Sequence, residues 1–280
     1  MRKAFLVSLC CGLLTSLGLP PQASAAGTVG VVLLHGKLGA PMGVVRGRMA
    51  TPIGADLIEE IERAGYLVST PEMCWSRERG FDRAYADCFA DIDASIADLK
   101  RHGATAIVVG GLSLGGNGAI AYAATHPGLL GVIGLSPADD PVIKAKEYPK
   151  VADDLVRARD LVAQGKGGVK TDFDDYNTGP RGVYSITLDT TPRIFLSFFE
   201  PDSLAHMPTN VAKLTMPLLW VAGDNDPSQR SGRAYAFDKA PPNPLNRYVT
   251  VHATHLEVPD AAAPAVLAWL SDLRRQRGIQ

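Results

Sequence analysis

Gly111-Leu112-Ser113-Leu114-Gly115 follows the apolar run Ala106-Ile107-Val108-Val109 and leads into a small-residue stretch, 116–124. That order predicts a strand, a tight turn and a helix, with a serine at the apex of the turn. A sharp turn of this kind lifts the serine hydroxyl clear of the sheet. The glycines two residues to either side serve a steric purpose, because a side chain at 111 or 115 collides with the neighbouring strand and helix. In a chain with 28 glycines among 280 residues the pentapeptide by itself carries little weight. Its place between a strand and a helix gives it meaning.

Outward from this point, β-branched runs at 29–34, 66–70, 106–110, 131–135, 218–222 and 247–251 alternate with segments of helical period. Most are apolar without interruption, as strands buried on both faces are. The expected fold class is α/β: a mostly parallel central sheet of about six strands flanked by helices. Phe89, Ile92, Ile96 and Leu99 fall on one helical stripe, as do Leu57, Ile58 and Ile61, and later Val266, Leu270 and Leu273. These stripes are core-packing faces. The rhythm breaks over 138–215, where a helix at 151–164, a Gly/Lys-rich loop at 165–170, an acidic turn at 172–177 and an aromatic piece at 194–199 are expected. An insert of that length between the fourth and fifth strands is expected to cap a site or elaborate a crossover.

Residues 1–25 read as a signal peptide: Arg2 and Lys3, an apolar run over 4–19, then Ala23-Ser24-Ala25 as the small-x-small cleavage pattern. Ser, Thr and Gly interrupt the run and Pro20-Pro21 ends it, so no stable membrane anchor is expected. Cys10 and Cys11 lie inside the run rather than after it, which sets lipid modification aside. The expected mature chain is one domain, 26–280, exported to a periplasm or secreted. Losing the leader removes two positive charges and no acids, taking the formal charge from −1 to −3. Such a chain lacks the electrostatic footprint of a nucleic-acid or acidic-membrane partner. Cys74 and Cys88 then remain, 14 residues apart. In an oxidising compartment they are expected to form a disulfide, closing a loop worth about 3 kcal/mol in the chain-entropy picture. Neither has the second ligand pair that zinc spacing needs, so no metal site is expected.

A serine hydroxyl attacks poorly until a base takes its proton, and the base needs a carboxylate to hold it. His255, shortly after the last strand, belongs on a loop at the carboxyl edge of the sheet, the edge that carries Ser113. His252 stands closer to the strand end, pointing elsewhere, and His102 and His126 suit helix ends. The acid follows the preceding strand, in Gly223-Asp224-Asn225-Asp226-Pro227. Asp226 has room to turn back toward His255, whereas Asp224 shapes the turn; Asp139, one strand away, is the alternative. Donors for a developing oxyanion come from the Leu114 amide and from the Lys37 amide in Leu34-His35-Gly36-Lys37-Leu38-Gly39, each such donor being worth about 10²–10³ in rate. His35 reads as a loop anchor, and the Lys37 ammonium is expected to face solvent. Trp75 and Arg77 follow the second strand on the same edge and are expected to line a substrate pocket, with Arg77 offering either a carboxylate contact or an exposed salt bridge. The aromatic piece at 194–199 reads as an acyl-binding surface or as core filler, with filler preferred.

His35-Gly36, the Gly-x-Ser-x-Gly turn, Gly223-x-x-Asp226 and a late His255 together resemble the α/β-hydrolase superfamily, from Val29 to the last helix. The order Ser, Asp, His is that superfamily's order. The resemblance implies a serine-nucleophile hydrolase with no cofactor, an acyl-enzyme intermediate, a small-molecule acyl substrate and a pocket roofed by the insert. Two departures stand out: the usual N-terminal antiparallel strands are not expected, since few residues separate the cleavage pattern from the first strand, and Thr254 rather than glycine precedes His255. A small or medium acyl ester is the expected substrate. An acyltransferase using the same acyl-enzyme and a non-catalytic exported binding protein are the alternatives.

Overall fold

The computed structural model describes residues 27–44, 52–179 and 182–279; the expected signal peptide, with Cys10 and Cys11, lies outside the described residues. The strands are β1 (Thr28–Leu34), β2 (Leu67–Ser69), β3 (Ala104–Leu112), β4 (Gly131–Leu135), β5 (Thr171–Gly179), β6 (Gly182–Thr190), β7 (Leu218–Gly223) and β8 (Arg247–Val251). Six of them form one sheet in the order β2-β1-β3-β4-β7-β8, every pair parallel. The helices are α1 (Ala55–Arg63), α2 (Phe89–Arg101), α3 (Leu114–Thr125), α4 (Pro141–Glu147), α5 (Pro149–Ala163), α6 (Pro192–Phe199), α7 (Met207–Val211), α8 (Gly232–Tyr235), α9 (Val258–Ala261) and α10 (Ala263–Arg277).

Side chains of a strand alternate between faces, so one strand feeds two cores. Val31 and Leu33 of β1 meet Leu57 and Ile61 of α1 and Trp269 and Leu270 of α10. Val32 and Leu34 face the other way, toward Ile92 and Ile96 of α2 and Ile120 of α3. Both layers are fully buried, which is why these runs are apolar throughout rather than alternating.

Strand register places the chemistry. Leu34 pairs with Gly111, Leu112 with Leu135, Leu135 with Val221 and Gly223 with Val251. The carboxyl ends of five strands are therefore nearly flush, and the loops after them emerge on one edge. The chain also goes outward from β1 to β2 and returns to β3 on the opposite side of β1. Such a switch point opens a crevice at the carboxyl ends of the strands, where ligands of open α/β sheets bind. Close approach of the backbone there needs the two glycines: a Cβ on Gly111 would stand 2.7 Å from Leu34 O, and one on Gly115 would stand 2.6 Å from His35 O.

The insert between β4 and β7 holds α4, α5, an antiparallel hairpin of β5 and β6, α6 and α7. The helix expected at 151–164 is α5, which starts earlier because Pro149 suits a first helical turn. The expected acidic turn at 172–177 is instead part of β5. There Phe173 and Asp175 point inward, and strand alternation overrides the run of charge. The aromatic piece is α6: Phe195, Phe198 and Phe199 are buried, and Phe195 stacks on Phe173 at 4.3 Å between ring centroids. Core filler is its use.

Cys74 and Cys88 form a disulfide with a Cα–Cα distance of 5.5 Å, tying the segment after β2 to the start of α2. Thiol titration of the unfolded, unreduced leader-free protein should find no free sulfhydryl; two would contradict the pairing. Reduction should lower the unfolding free energy by about 3 kcal/mol. Among the described residues no helix is long and apolar enough to cross a membrane.

Candidate active site

Ser113 stands between the end of β3 and the first turn of α3 with φ 58° and ψ −122°. A non-glycine residue at positive φ stores about 1–3 kcal/mol of strain. Leu38, Ser136 and Asp139 share a positive φ, at 50°, 42° and 65°, and all lie on loops of the same edge. Ser113 is held at both backbone groups: its N–H donates to Leu135 O at 3.0 Å, and its carbonyl accepts from Asn117 and Ala138. The backbone of residue 113 therefore cannot shift without unpicking the join of β3, β4 and α3.

The structure brings His255 and Asp226 together. His255 Nδ1 lies 2.7 Å from Asp226 Oδ2, and the two side chains are 4% and 0% exposed. Asp226 also accepts from the Ser228 N–H at 2.9 Å. With Nδ1 donating to the carboxylate, the tautomer set by that partner leaves Nε2 as an acceptor. Burial pushes the Asp226 carboxyl up, but His255, the Ser136 hydroxyl and the Ser228 amide outweigh it and hold the group below its ordinary value. Asp224 serves a different pair. It accepts from His252 at 2.9 Å and from the Ala253 N–H, with side chains 87% and 43% exposed for the histidine and the acid, so it shapes the turn. Asp139 faces Lys37 and Lys144 rather than His255.

The loop after β1 closes on the serine from the other side. A Cβ on Gly36 would lie 3.3 Å from Ser113 Cβ and 3.9 Å from its Oγ. His35 anchors this loop: Nε2 accepts from the Met73 N–H at 3.0 Å, while its carbonyl accepts from Trp75 Nε1. Among the described residues no group accepts from the Lys37 N–H, and the Leu114 N–H belongs to the unpaired first turn of α3. One expectation is corrected. The Lys37 ammonium does not face solvent; it is buried against Asp139 and Asp175, because the hairpin expected to be a loose acidic turn folds over it.

A cleft of about 850 Å³, counted to its open mouth, lies beside Ser113. The walls come from the segments after β4 and β7 and from the insert, with Asp139, Lys144, Tyr148, Tyr176 and Gln229 among them. Tyr148 and Tyr176 stack at 4.0 Å between ring centroids. Ser228, whose Oγ lies 3.2 Å from His255 Nδ1, lines this same cleft and so joins the histidine to the serine's surroundings. Trp75 and Arg77 are not part of it. The Trp75 ring is sealed in the core, where its indole N–H reaches His35 O and the ring edge packs at Gly118; Arg77 is exposed away from the cleft. The wall residues that sequence reasoning did not name, Lys144, Tyr148 and Tyr176 among them, belong to the insert expected to roof the pocket. For Tyr176 and Val183, on the hairpin, the signal was the period-two pattern of 183–190, obscured by the acids of the partner strand.

Asp139 titrates as Asp226 does: burial pushes it up, and Lys144 and Lys37 more than reverse that. Both carboxyls thus bind a proton more weakly when folded than unfolded, where the ordinary value is 3.8. Their stabilisation is fully present above the unfolded value and is lost as pH falls toward the folded values. The urea midpoint should therefore be lower at about pH 3 than at about pH 6. Asp139→Asn should narrow that difference, and an equal difference in the variant would contradict the assignment.

No family model matches the chain, and no curated protein matches it in sequence. Solved structures do. One of the metagenome-derived lipolytic enzymes LipS and LipT is 17% identical, with a TM-score of 0.59 over 89% of this chain and 95% of the other. The monoacylglycerol lipase of Paleococcus ferrophilus is 21% identical, with a TM-score of 0.59 over 88% and 96%. Est1E from Butyrivibrio proteoclasticus, solved with ferulic acid bound, is 17% identical, with a TM-score of 0.57 over 90% and 92%. At these identities the likeness is one of fold, and it spans nearly the whole of each chain.

Proposed function

We propose that this chain, which has the α/β-hydrolase fold, is a serine hydrolase that cleaves small or medium acyl esters through Ser113, His255 and Asp226. The observation that carries the reading is the buried His255–Asp226 pair at 2.7 Å, beside a cleft that holds a strained Ser113. In this reading His255 Nε2 takes the Ser113 proton as Oγ attacks the ester carbonyl carbon, and Asp226 stabilises the imidazolium. The carbonyl oxygen becomes an oxyanion that receives hydrogen bonds from the Leu114 and Lys37 amides. His255 then gives its proton to the departing alcohol, leaving an acyl group on Ser113. Water, deprotonated by the same histidine, releases the acid by the reverse sequence. Each step uses protein groups and water alone.

The names of the solved neighbours favour ester chemistry, two of them being described as lipolytic enzymes or a lipase. Polar side chains of the cleft, Asp139, Lys144 and Gln229 among them, disfavour long aliphatic chains. An exported location, periplasmic or secreted, is supported by the leader sequence and suits a disulfide-bonded domain. The test is a panel of activated esters of rising acyl length, with products analysed in the presence and absence of alcohol or amine acceptors. Free acid should be the main product throughout, with turnover highest for short and medium chains. Acceptor-linked acyl product in its place would mark a transferase, and no turnover of any ester would mark a binding protein.

A further inference from the structure

We infer that Lys37 is a positioning residue for the oxyanion site, and that the insert holds it there: the buried Lys37 ammonium is clamped by the β5 strand so that its own amide keeps its direction beside Ser113. This inference rests on the hydrolase reading above and extends it to the cap. Lys37 Nζ donates to Asp139 at 2.8 Å, to Asp175 at 2.5 Å and to Tyr176 O at 2.6 Å. An ammonium has three protons, and here each has an acceptor. The side chain is 1% exposed.

Lys144 of α4 binds the same three groups, Asp139 at 2.8 Å, Asp175 at 3.0 Å and the Tyr176 carbonyl. Two ammoniums and two carboxylates make a neutral, buried quartet that joins four segments: the loop after β1, the loop after β4, α4 and β5. Burial draws the Lys37 ammonium below its ordinary value, while Asp139 and Asp175 hold Lys144 above it. Buried ion pairs add little net stability compared with apolar packing of the same volume, because desolvation offsets their attraction. A quartet of this kind is therefore better explained by the geometry it imposes than by the stability it adds.

That geometry bears on one peptide. On its C-terminal side the loop is pinned by Leu38 N–H to Trp75 O at 2.9 Å and by Gly39 N–H to Gly36 O at 3.1 Å. On its N-terminal side Gly36 abuts Ser113. The Lys37 side chain is a further hold on this short stretch, and it ties the stretch to the insert. It follows that the hairpin and the oxyanion loop move as one piece, so the cap acts as a fixed wall rather than an independent lid.

The test compares wild type with Lys37→Met/Asp175→Asn, which removes one charge of each sign and leaves Lys144 paired with Asp139. Folding is checked by circular dichroism, and kcat, KM and the affinity of a boronic-acid transition-state analogue are measured on an ester that wild type hydrolyses. The double variant should fold, with kcat lower by about 10- to 100-fold, as partial loss of one oxyanion donor implies. KM should stay within about 3-fold, and analogue affinity should fall in parallel with kcat. Hydrogen exchange of the peptide covering 36–39 should be faster. A folded variant with unchanged kcat, or with a raised KM and unchanged kcat, overturns the inference while leaving the hydrolase reading intact. If the double variant does not fold, the nearly isosteric Asp175→Asn carries the test, with kcat expected to fall by about 5-fold at constant KM. If wild type hydrolyses no ester and binds no analogue, both readings fall together.

Discussion

Ser113→Ala is expected to abolish labelling by a fluorophosphonate and to lower kcat on an activated ester by about 10⁶-fold. A residual rate about 10³–10⁴ above that in water should survive, because the oxyanion donors and the binding surface remain. The size of the effect follows from the division of labour at the site. In the proposed reaction the carbonyl carbon needs an attacking oxygen, and the backbone bonds of residue 113 to Leu135, Asn117 and Ala138 fix the Cα that carries it. Alanine keeps those bonds, and it relieves none of the strain at φ 58° because it too carries a Cβ. The variant should therefore fold as wild type does, which makes the loss of rate attributable to the hydroxyl. Retained turnover in a folded Ser113→Ala protein would move the chemistry elsewhere.

The second large effect separates two acids that stand two residues apart. Asp226→Asn should lower kcat by about 10⁴-fold, the loss expected when an amide holds the imidazole in the wrong tautomer. Asp224→Asn should change kcat by less than about 3-fold, since it disturbs only a solvent-screened pair with His252. The contrast rests on burial: the Asp226 side chain is 0% exposed against His255, whereas Asp224 is 43% exposed against a histidine that is itself 87% exposed. Asparagine at 226 still accepts from the Ser228 N–H, so the turn should survive. Equal losses from the two substitutions, or a larger one from Asp224→Asn, would reverse the assignment of the acid.

Much of this arrangement is legible in the amino-acid sequence alone, and the reason is local. Strands buried on both faces announce themselves as unbroken apolar runs, and a parallel sheet sends the loop after every strand to one edge. Ser113, Asp226 and His255 each follow such a run within a few residues, so their common edge could be read from chain order. Side-chain direction could not. Trp75 lies on a segment leaving that edge, yet its ring turns into the core beneath α3, a choice made by the space over Gly118. The hairpin escaped for a different reason. Asp172, Asp174 and Asp175 give β5 the charge of a surface turn, and the cations that make a buried Asp175 tolerable lie 138 and 31 residues away in the chain. Compensation over such separations leaves no periodicity to read. Lys37 failed with it, because a lysine beside glycines reads as solvated until its acceptors are known.

Site mapping of a fluorophosphonate adduct, timed in wild type and in His255→Ala, goes to the heart of the mechanism. A single adduct should appear on the peptide containing Ser113, and its rate of formation should fall by about 10³-fold or more when the imidazole is removed. An adduct on another residue, or an undiminished rate at Ser113 without His255, would contradict a serine activated by that histidine.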